Sequence, residues 1–408
     1  MRSNYKRIAD CITEIKLKNT DGAISSLKGI NINKHFMPSV ANIIGTDLSK
    51  YKVVKMNQLA FNPMHVGRDE VLPISMLEDK EPIIVSPAYK VFEVTDEKEI
   101  LPEYIMMWCR RTEFDRKAWF MTDNTVRGGL SWSDFCDTEL PVPSIKKQRE
   151  IVNEYNVVNN NISLNKQLTK RLEDAAQAIY KQWFVDFEFP ISKEYAQSIS
   201  KPELEGKAYK SSGGAMKYCK EIDEDIPLNW DYAALSSQAE IVMGQSPSGE
   251  YLSTSPTGTV FYQGRADFNF RYPSERIYTS LVKRRAQSKD VLMTVRAPVG
   301  NINIASQECA IGRGVAAIRD KCGVNSFIHY SLQNLSRLFS ITDGEGTIFG
   351  SINKDELNEL SVIKPDMDTK KQFNKMVSHI DHTIEVAEKK LISLRTMRNL
   401  INTKMSKT

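Results

Sequence analysis

What these 408 residues lack narrows the field before anything present is weighed. No run of about 18 apolar residues occurs, so no membrane-spanning helix is expected. The opening Met1-Arg2-Ser3-Asn4-Tyr5-Lys6-Arg7 lacks the apolar core of a secretory leader, and a cytoplasmic location is the expectation. The six cysteines include no Cys-x-x-Cys pair, which reads as reduced thiols and as neither a disulfide scaffold nor a zinc site. A net charge of +4 is only mildly basic, so any nucleic-acid partner must be argued from where the charge clusters.

Catalytic signatures are missing as well. No Gly-x-x-x-x-Gly-Lys-Ser/Thr run exists to cradle phosphates, and Gly312-Arg313-Gly314 reads as a tight turn. Phe61-Asn62-Pro63-Met64 approaches the motif with which methyltransferases hold a target amino group, but lacks its second proline and its aromatic residue. Glu205-Gly206-Lys207, with Asp186 upstream, has the spacing of a nuclease metal site and reads better as a solvated charge run. His379 and His382 stand three apart on a helical pattern with no third ligand in view. No catalytic residue and no metal ligand is assigned.

What is present is a duplication. Asn57-Gln58-Leu59 and Asp290-Val291-Leu292 are followed, after the same six-residue gap, by Val66-Gly67 and Val299-Gly300. Further on, Gly128, Leu130, Phe135, Leu140 and Pro143 match Gly350, Ile352, Leu357, Val362 and Pro365 in order and spacing. Each half mixes short β-rich runs with turn signals and one helical pattern, about Pro102 to Lys117 and Ser326 to Phe339, as in a compact α/β or α+β domain.

Each half then runs into a long polar helix with a thin apolar seam. In the first, Ile151, Tyr155, Val158, Ile162, Leu172, Ala176, Ile179 and Trp183 fall on one helical stripe of three- and four-residue steps. Met376, Ile380, Leu391, Leu394 and Ile401 do so in the second. So narrow a seam suits a coiled coil better than a helix sunk in a core. The segments follow as a domain over 1–146, a spacer helix over 147–190, a Ser/Lys/Glu/Gly linker over 191–225, a second domain over 226–366 and a distal helix over 367–408. As one helix, residues 147–189 would span about 65 Å at 1.5 Å per residue.

The basic residues cluster in both halves. In the second, Arg265, Arg271, Arg276, Lys283, Arg284 and Arg285 are interleaved with aromatic residues, with Gln263 among them and Arg296 beyond. In the first, the comparable set is Lys52, Lys55, Arg68, Arg110, Arg111 and Arg127. Such side chains neutralise phosphates, and Arg, Gln and Asn can bond bidentately to base edges in the major groove.

At this point the chain resembles the specificity subunits of type I restriction-modification systems. The most specific pieces are Ala178-Ile179-Tyr180-Lys181-Gln182-Trp183-Phe184-Val185-Asp186-Phe187-Glu188, Ile226-Pro227-Leu228-Asn229-Trp230 and Met243-Gly244-Gln245-Ser246-Pro247. The first half departs from the pattern, lacking the Pro-x-x-Trp seen at Pro227 to Trp230. The resemblance implies an α+β fold: two pseudo-symmetric target-recognition domains separated by two long antiparallel helices forming a coiled coil. It implies a non-catalytic chain in which each domain reads one half of an asymmetric, bipartite site in double-stranded DNA. The helices would set the gap and dock two modification subunits, which methylate with S-adenosylmethionine. Restriction subunits using ATP and Mg2+ would join them, with no cofactor in this chain. Two alternatives stay open: a coiled-coil scaffold with protein-binding domains, and a diverged single-chain DNA methyltransferase or nuclease.

Overall fold

Runs of three to five Val, Ile, Leu and Phe residues, cut by Gly, Pro and Asn, give strands too short to stand alone, so they assemble into several small sheets. The computed structural model describes residues 4–39, 45–64, 66–122, 128–343 and 350–405. The chain forms two compact units: Met1–Lys166 with Lys389–Thr408, and Gln167–Glu388. The expected segments are consecutive in sequence, whereas each unit here owns part of both long helices. Among the described residues, no helix is long and apolar enough to cross a membrane.

The first unit contains strands β1 (Tyr5–Arg7), β2 (Ile12–Ile15), β3 (Leu59–Phe61), β4 (Ile74–Met76) and β5 (Lys90–Val94), helix α1 (Pro102–Cys109) and strand β6 (Glu139–Pro141). Helix α2 (Ile145–Phe184) follows. The second unit contains β7 (Asp231–Ala234), β8 (Ala239–Met243), β9 (Thr259–Tyr262), β10 (Tyr278–Thr279), β11 (Arg285–Ala286), β12 (Val291–Thr294), β13 (Ile302–Ile304), β14 (Cys309–Ile311) and β15 (Val315–Asp320). Helix α3 (Asn325–Asp343), strand β16 (Ser361–Lys364) and helix α4 (Met367–Lys404) complete it.

The duplication read from the motifs is a duplication of topology. The first unit has an antiparallel sheet in the order β2-β5-β3-β4 and the second one in the order β8-β15-β12-β13, with the matched Leu59 and Leu292 in corresponding strands. In each, the opening strand pairs antiparallel with the exit strand, β1 with β6 and β7 with β16. The matched glycines of the first unit touch: Gly67 donates its N–H to the Gly128 carbonyl at 2.9 Å, and a Cβ on Gly67 would lie 2.8 Å from the Gly128 Cα.

Three expectations are corrected. The helix expected over Pro102 to Lys117 is two helices, α1 and Thr112–Phe120, broken where buried Arg111 turns back to lie 4.2 Å from the Trp108 ring centre. The spacer helix stops at Phe184 and not at Pro190, because Phe187, at φ 60°, turns the chain inward. Phe184 and Phe189 then stack on Trp230 at 5.5 and 4.6 Å. The stretch 191–225 is folded: Ile191, Ala196, Tyr209 and Cys219 are buried in the second unit's core, and Met216–Cys219 pairs with Glu224–Pro227. Its polar composition describes its outer surface only.

The seam of α2 holds a seven-residue repeat through Tyr155, Ile162, Thr169, Ala176 and Trp183, all buried. In the first unit Ile151 and Tyr155 share a core with Ile401 and Met405, and Ile162 packs with Leu391 and Leu394. In the second, Ala176, Tyr180 and Trp183 meet Phe373 and Val377, with Ile179 and Ile380 at the edge. Early residues of one helix meet late residues of the other, so the pair is antiparallel. Val158 and Leu172 are half-buried. Met376 is exposed, contrary to expectation: it precedes Val377 on the buried stripe, and one residue rotates it off the seam by about 100°.

A buried ionic cluster joins the pair to the second unit's globular part. Arg271, 1% exposed, donates to Glu173 of α2 at 2.5 Å, to the Tyr330 hydroxyl of α3 at 3.0 Å and to Asp381 of α4 at 2.5 Å. The Tyr330 hydroxyl donates in turn to Asp381 at 2.7 Å. Burial pushes the Glu173 carboxyl up, but His329 and the Arg271 guanidinium outweigh it and hold the carboxyl well below its ordinary 4.5. Burial and then the Arg271 charge push His329 below its ordinary 6.5, against the opposing pull of Glu173. Removing one partner of such a cluster costs about 3–5 kcal/mol, since the others remain charged and buried.

Two outcomes follow. Gly67→Ala is expected to destabilise the first unit by about 1–3 kcal/mol, read as a lower denaturation midpoint; an unchanged midpoint would refute the contact. The unfolded chain protonates His329 near its ordinary 6.5 and the folded chain only at lower pH, so stability falls as pH drops below 6.5. For one group that slope is at most about 1.4 kcal/mol per pH unit. His329→Asn is expected to flatten thermal stability between pH 6.5 and 5, and an unaltered slope there would contradict the assignment.

Candidate nucleic-acid interface

Strand direction gathers polar side chains along one rim of the second unit. β9 and β14 run parallel, with Tyr262 opposite Ile311, so their carboxyl ends coincide. β11 runs antiparallel to β14, which brings Arg284 to the same end. A turn over 312–314 carries β14 straight into β15, whose first residues lie beside the carboxyl ends of β8 and β12. Five loops therefore meet. Gly244 donates its N–H to the Val315 carbonyl (2.9 Å), Gln245 to Ile311 (2.9 Å), Gly312 to Tyr262 (2.8 Å), Ile311 to Arg284 (3.1 Å) and Val295 to Gly314 (3.0 Å).

Glycines permit this convergence. A Cβ on Gly244 would sit 2.2 Å from the Gly312 carbonyl oxygen, and one on Gly314 2.4 Å from that of Gln263. Backbones that close leave side chains no room but outward. Gln245, Gln263, Arg265, Lys283, Arg284, Arg296 and Arg313 are all exposed there. The rim presents five cationic side chains and two primary amides, a set able to bind phosphates and to read base edges.

Of the residues expected from sequence, Gln263, Arg265, Lys283, Arg284 and Arg296 come together on this rim. Arg276 lies on the excursion leaving it, exposed, donating to the Ala266 carbonyl at 2.8 Å and facing Asp267 at 3.7 Å. Arg285 is ion-paired with exposed Glu308. Arg271 is buried in the cluster beside the helices and reads nothing directly. Gln245 and Arg313 were missed. Their signal was a side chain set against a glycine on both sides at 312–314, and next to one in Met243-Gly244-Gln245.

The first unit gathers its charge differently. At the corresponding end of its sheet stand Lys16, Lys18 and Lys90, with Lys52 bridged to Lys18 and donating to the Tyr89 carbonyl at 2.5 Å. Burial and then the Lys90 charge push the Lys52 ammonium below its ordinary value. Only Lys52 of this group was singled out in sequence. The other expected residues do not join it. Lys55 is exposed on the turn after Val54, Arg68 is paired with Asp69 at 2.7 Å, and Arg111 is buried beneath Trp108. Arg110 borders a cleft of about 750 Å³ with His35 and Arg398, and Arg127 lies outside the described residues.

Residues 227–396 match the family described as the type I restriction modification DNA specificity domain. The chain is 26% identical over 395 residues to the putative type I restriction enzyme MjaX specificity subunit of Methanocaldococcus jannaschii, covering 95% of this chain and 84% of that one. It is 21% identical over 417 residues to the type I restriction enzyme HindI specificity subunit of Haemophilus influenzae, covering 90% of each. Its fold is similar to the crystal structure of the type I restriction-modification system S subunit from M. genitalium, with a TM-score of 0.59 at 12% identity over 98% of this chain and 95% of that one. The second unit thus matches the type I restriction modification DNA specificity domain, and the chain is similar over most of its length to specificity subunits of type I restriction-modification systems.

Proposed function

We propose that each unit reads one half of an asymmetric, bipartite DNA site and that the chain performs no chemistry itself. The rim of the second unit carries this reading: seven outward polar side chains held on loops that glycine contacts lock in place. A bidentate contact from Arg or Gln discriminates by about 1–3 kcal/mol, so a few suffice for a half-site of several base pairs. The lysines of the first unit and the arginines of the second differ in number and kind, which is why the two half-sites differ.

The helices set the gap between half-sites and dock the catalytic partners. Helix α2, 40 residues and so about 60 Å long, exceeds the roughly 34 Å turn of B-DNA. Beside its seam in the first unit, Val157, Met397 and Leu400 are exposed around an apolar groove of about 750 Å³. A monomer leaves such a face open for a partner, and the partner is the modification subunit. Methyl transfer with S-adenosylmethionine belongs to that subunit, and ATP- and Mg2+-dependent cleavage to a restriction subunit.

Exchanging residues 226–365 for those of a related subunit is expected to change one half of the methylated sequence and leave the other intact. A change in both halves, or in neither, would sink independent reading. Reversing Lys283, Arg284 or Arg313 to Glu is expected to weaken DNA binding and to lower its salt dependence by about one unit per phosphate contact removed. An unaltered salt dependence in all three would take the rim off the DNA.

A further inference from the structure

Between β9 and β10 the chain leaves the rim at Gln263, reaches the helix pair at Arg271 and returns past Arg276. Three pins hold the excursion. The buried Asp267 carboxylate accepts the N–H groups of Gln263 at 2.7 Å and Gly264 at 3.3 Å. Asn303 of β13 accepts the Asn269 N–H at 3.2 Å and donates to its carbonyl at 3.0 Å. Arg271 supplies the third, its carbonyl accepting the Ile304 N–H at 2.9 Å while its side chain enters the cluster of Glu173, Tyr330 and Asp381.

The third pin differs in kind from the first two. Asp267 closes the excursion on its own first residues and Asn303 fixes it to β13 of the neighbouring sheet, whereas the Arg271 side chain fixes it to α2, α3 and α4 at once. A planar guanidinium held by two carboxylates and a hydroxyl is constrained in direction as well as distance, which an apolar contact of equal volume would not achieve. Buried charge is a costly way to gain stability alone, and its best-attested return is a unique arrangement.

We propose that Arg271 is a positioning residue for DNA readout: clamped by Glu173 and Asp381, it sets where Gln263 and Arg265 are presented at the rim. It touches no base. The proposal rests on the reading of the rim as a DNA interface, and it makes Glu173 and Asp381, both on the helices, determinants of the sequence that the second unit selects.

The test uses the full chain assembled with its modification subunits on a plasmid library randomised across the site, with methylation sequencing as the readout. Arg271→Lys keeps the charge and loses the fork. Arg271→Met combined with Glu173→Gln and Asp381→Asn removes all three charges together, leaving none orphaned. Both are expected to lower discrimination about tenfold in the half-site altered by the 226–365 exchange, with the other half-site unchanged. Assembled variants that keep full discrimination in both halves, or lose it equally in both, would overturn the proposal. So would failure of both variants to fold or assemble, since Arg271 would then be structural only. Gln263→Ala and Arg313→Glu in the same library separate the two ideas: if neither alters a half-site, the rim reading itself is wrong, whatever Arg271 does.

Discussion

A helix as polar as α2 keeps its length only if its thin seam is covered, and that requirement governs the rest of the chain. Its intrinsic preference is modest, and most helical stability in water comes from a buried face. The cover is α4, running antiparallel, with aliphatic contacts through Ile162, Leu391 and Leu394 in the first unit and aromatic ones through Tyr180, Trp183 and Phe373 in the second. Because the chain leaves α2 at Phe184 and starts α4 at Met367, everything between must fold so as to bring the two ends together. Trp230 closes that circuit: it stacks on Phe184 and Phe189 and donates its indole N–H to Asp366 at 2.8 Å, while Asp366 accepts the Thr369 N–H at the start of α4.

The two units meet the same demand with different chemistry. At equivalent places in α2 and α4, five residues past the matched prolines, stand Gln148 and Lys370. Gln148 donates to the carbonyls of Glu99 and Pro143 and accepts the Leu101 N–H at 3.0 Å, holding the segment before α1. Lys370 pairs with buried Asp320 and lies 4.8 Å from the Phe327 ring centre, holding the segment before α3. A neutral amide and a buried ion pair thus do one job: each ties a long helix to the loop that opens a globular helix. The repeat preserves the geometry and lets the atoms vary, as duplicated binding units with separate targets require.

How much of this was legible in the sequence depends on whether a property is periodic or tertiary. The seam was legible because heptad spacing is a property of the chain itself, and Met376 was misplaced only because a charged, mixed surface leaves the stripe's edge ambiguous by one residue. The duplicated sheets were legible through the matched Asn57-Gln58-Leu59 and Asp290-Val291-Leu292, whose leucines occupy corresponding strands. The end of α2 was not, because Phe187 and Phe189 satisfy a helical pattern as well as they satisfy a core under Trp230. Nor was the folding of 191–225, where buried Ile191, Tyr209 and Cys219 are few among polar neighbours.

The candidate site shows the limit most sharply, in its arginines. Arg265, Arg271 and Arg276 are alike in composition, neighbours and aromatic company, yet two face water and one is buried among carboxylates 98 and 110 residues away in the chain. Clustering of basic residues therefore locates a binding region without saying which members bind. What separates them is strand direction: the parallel pairing of β9 with β14 gathers at one rim the loops that carry Arg265, Arg284 and Arg313, and a residue beyond that rim is paired internally or solvated. By that criterion Arg313, set between two glycines that admit no side chain of their own, is a stronger candidate for the proposed DNA contact than buried Arg271 or ion-paired Arg285.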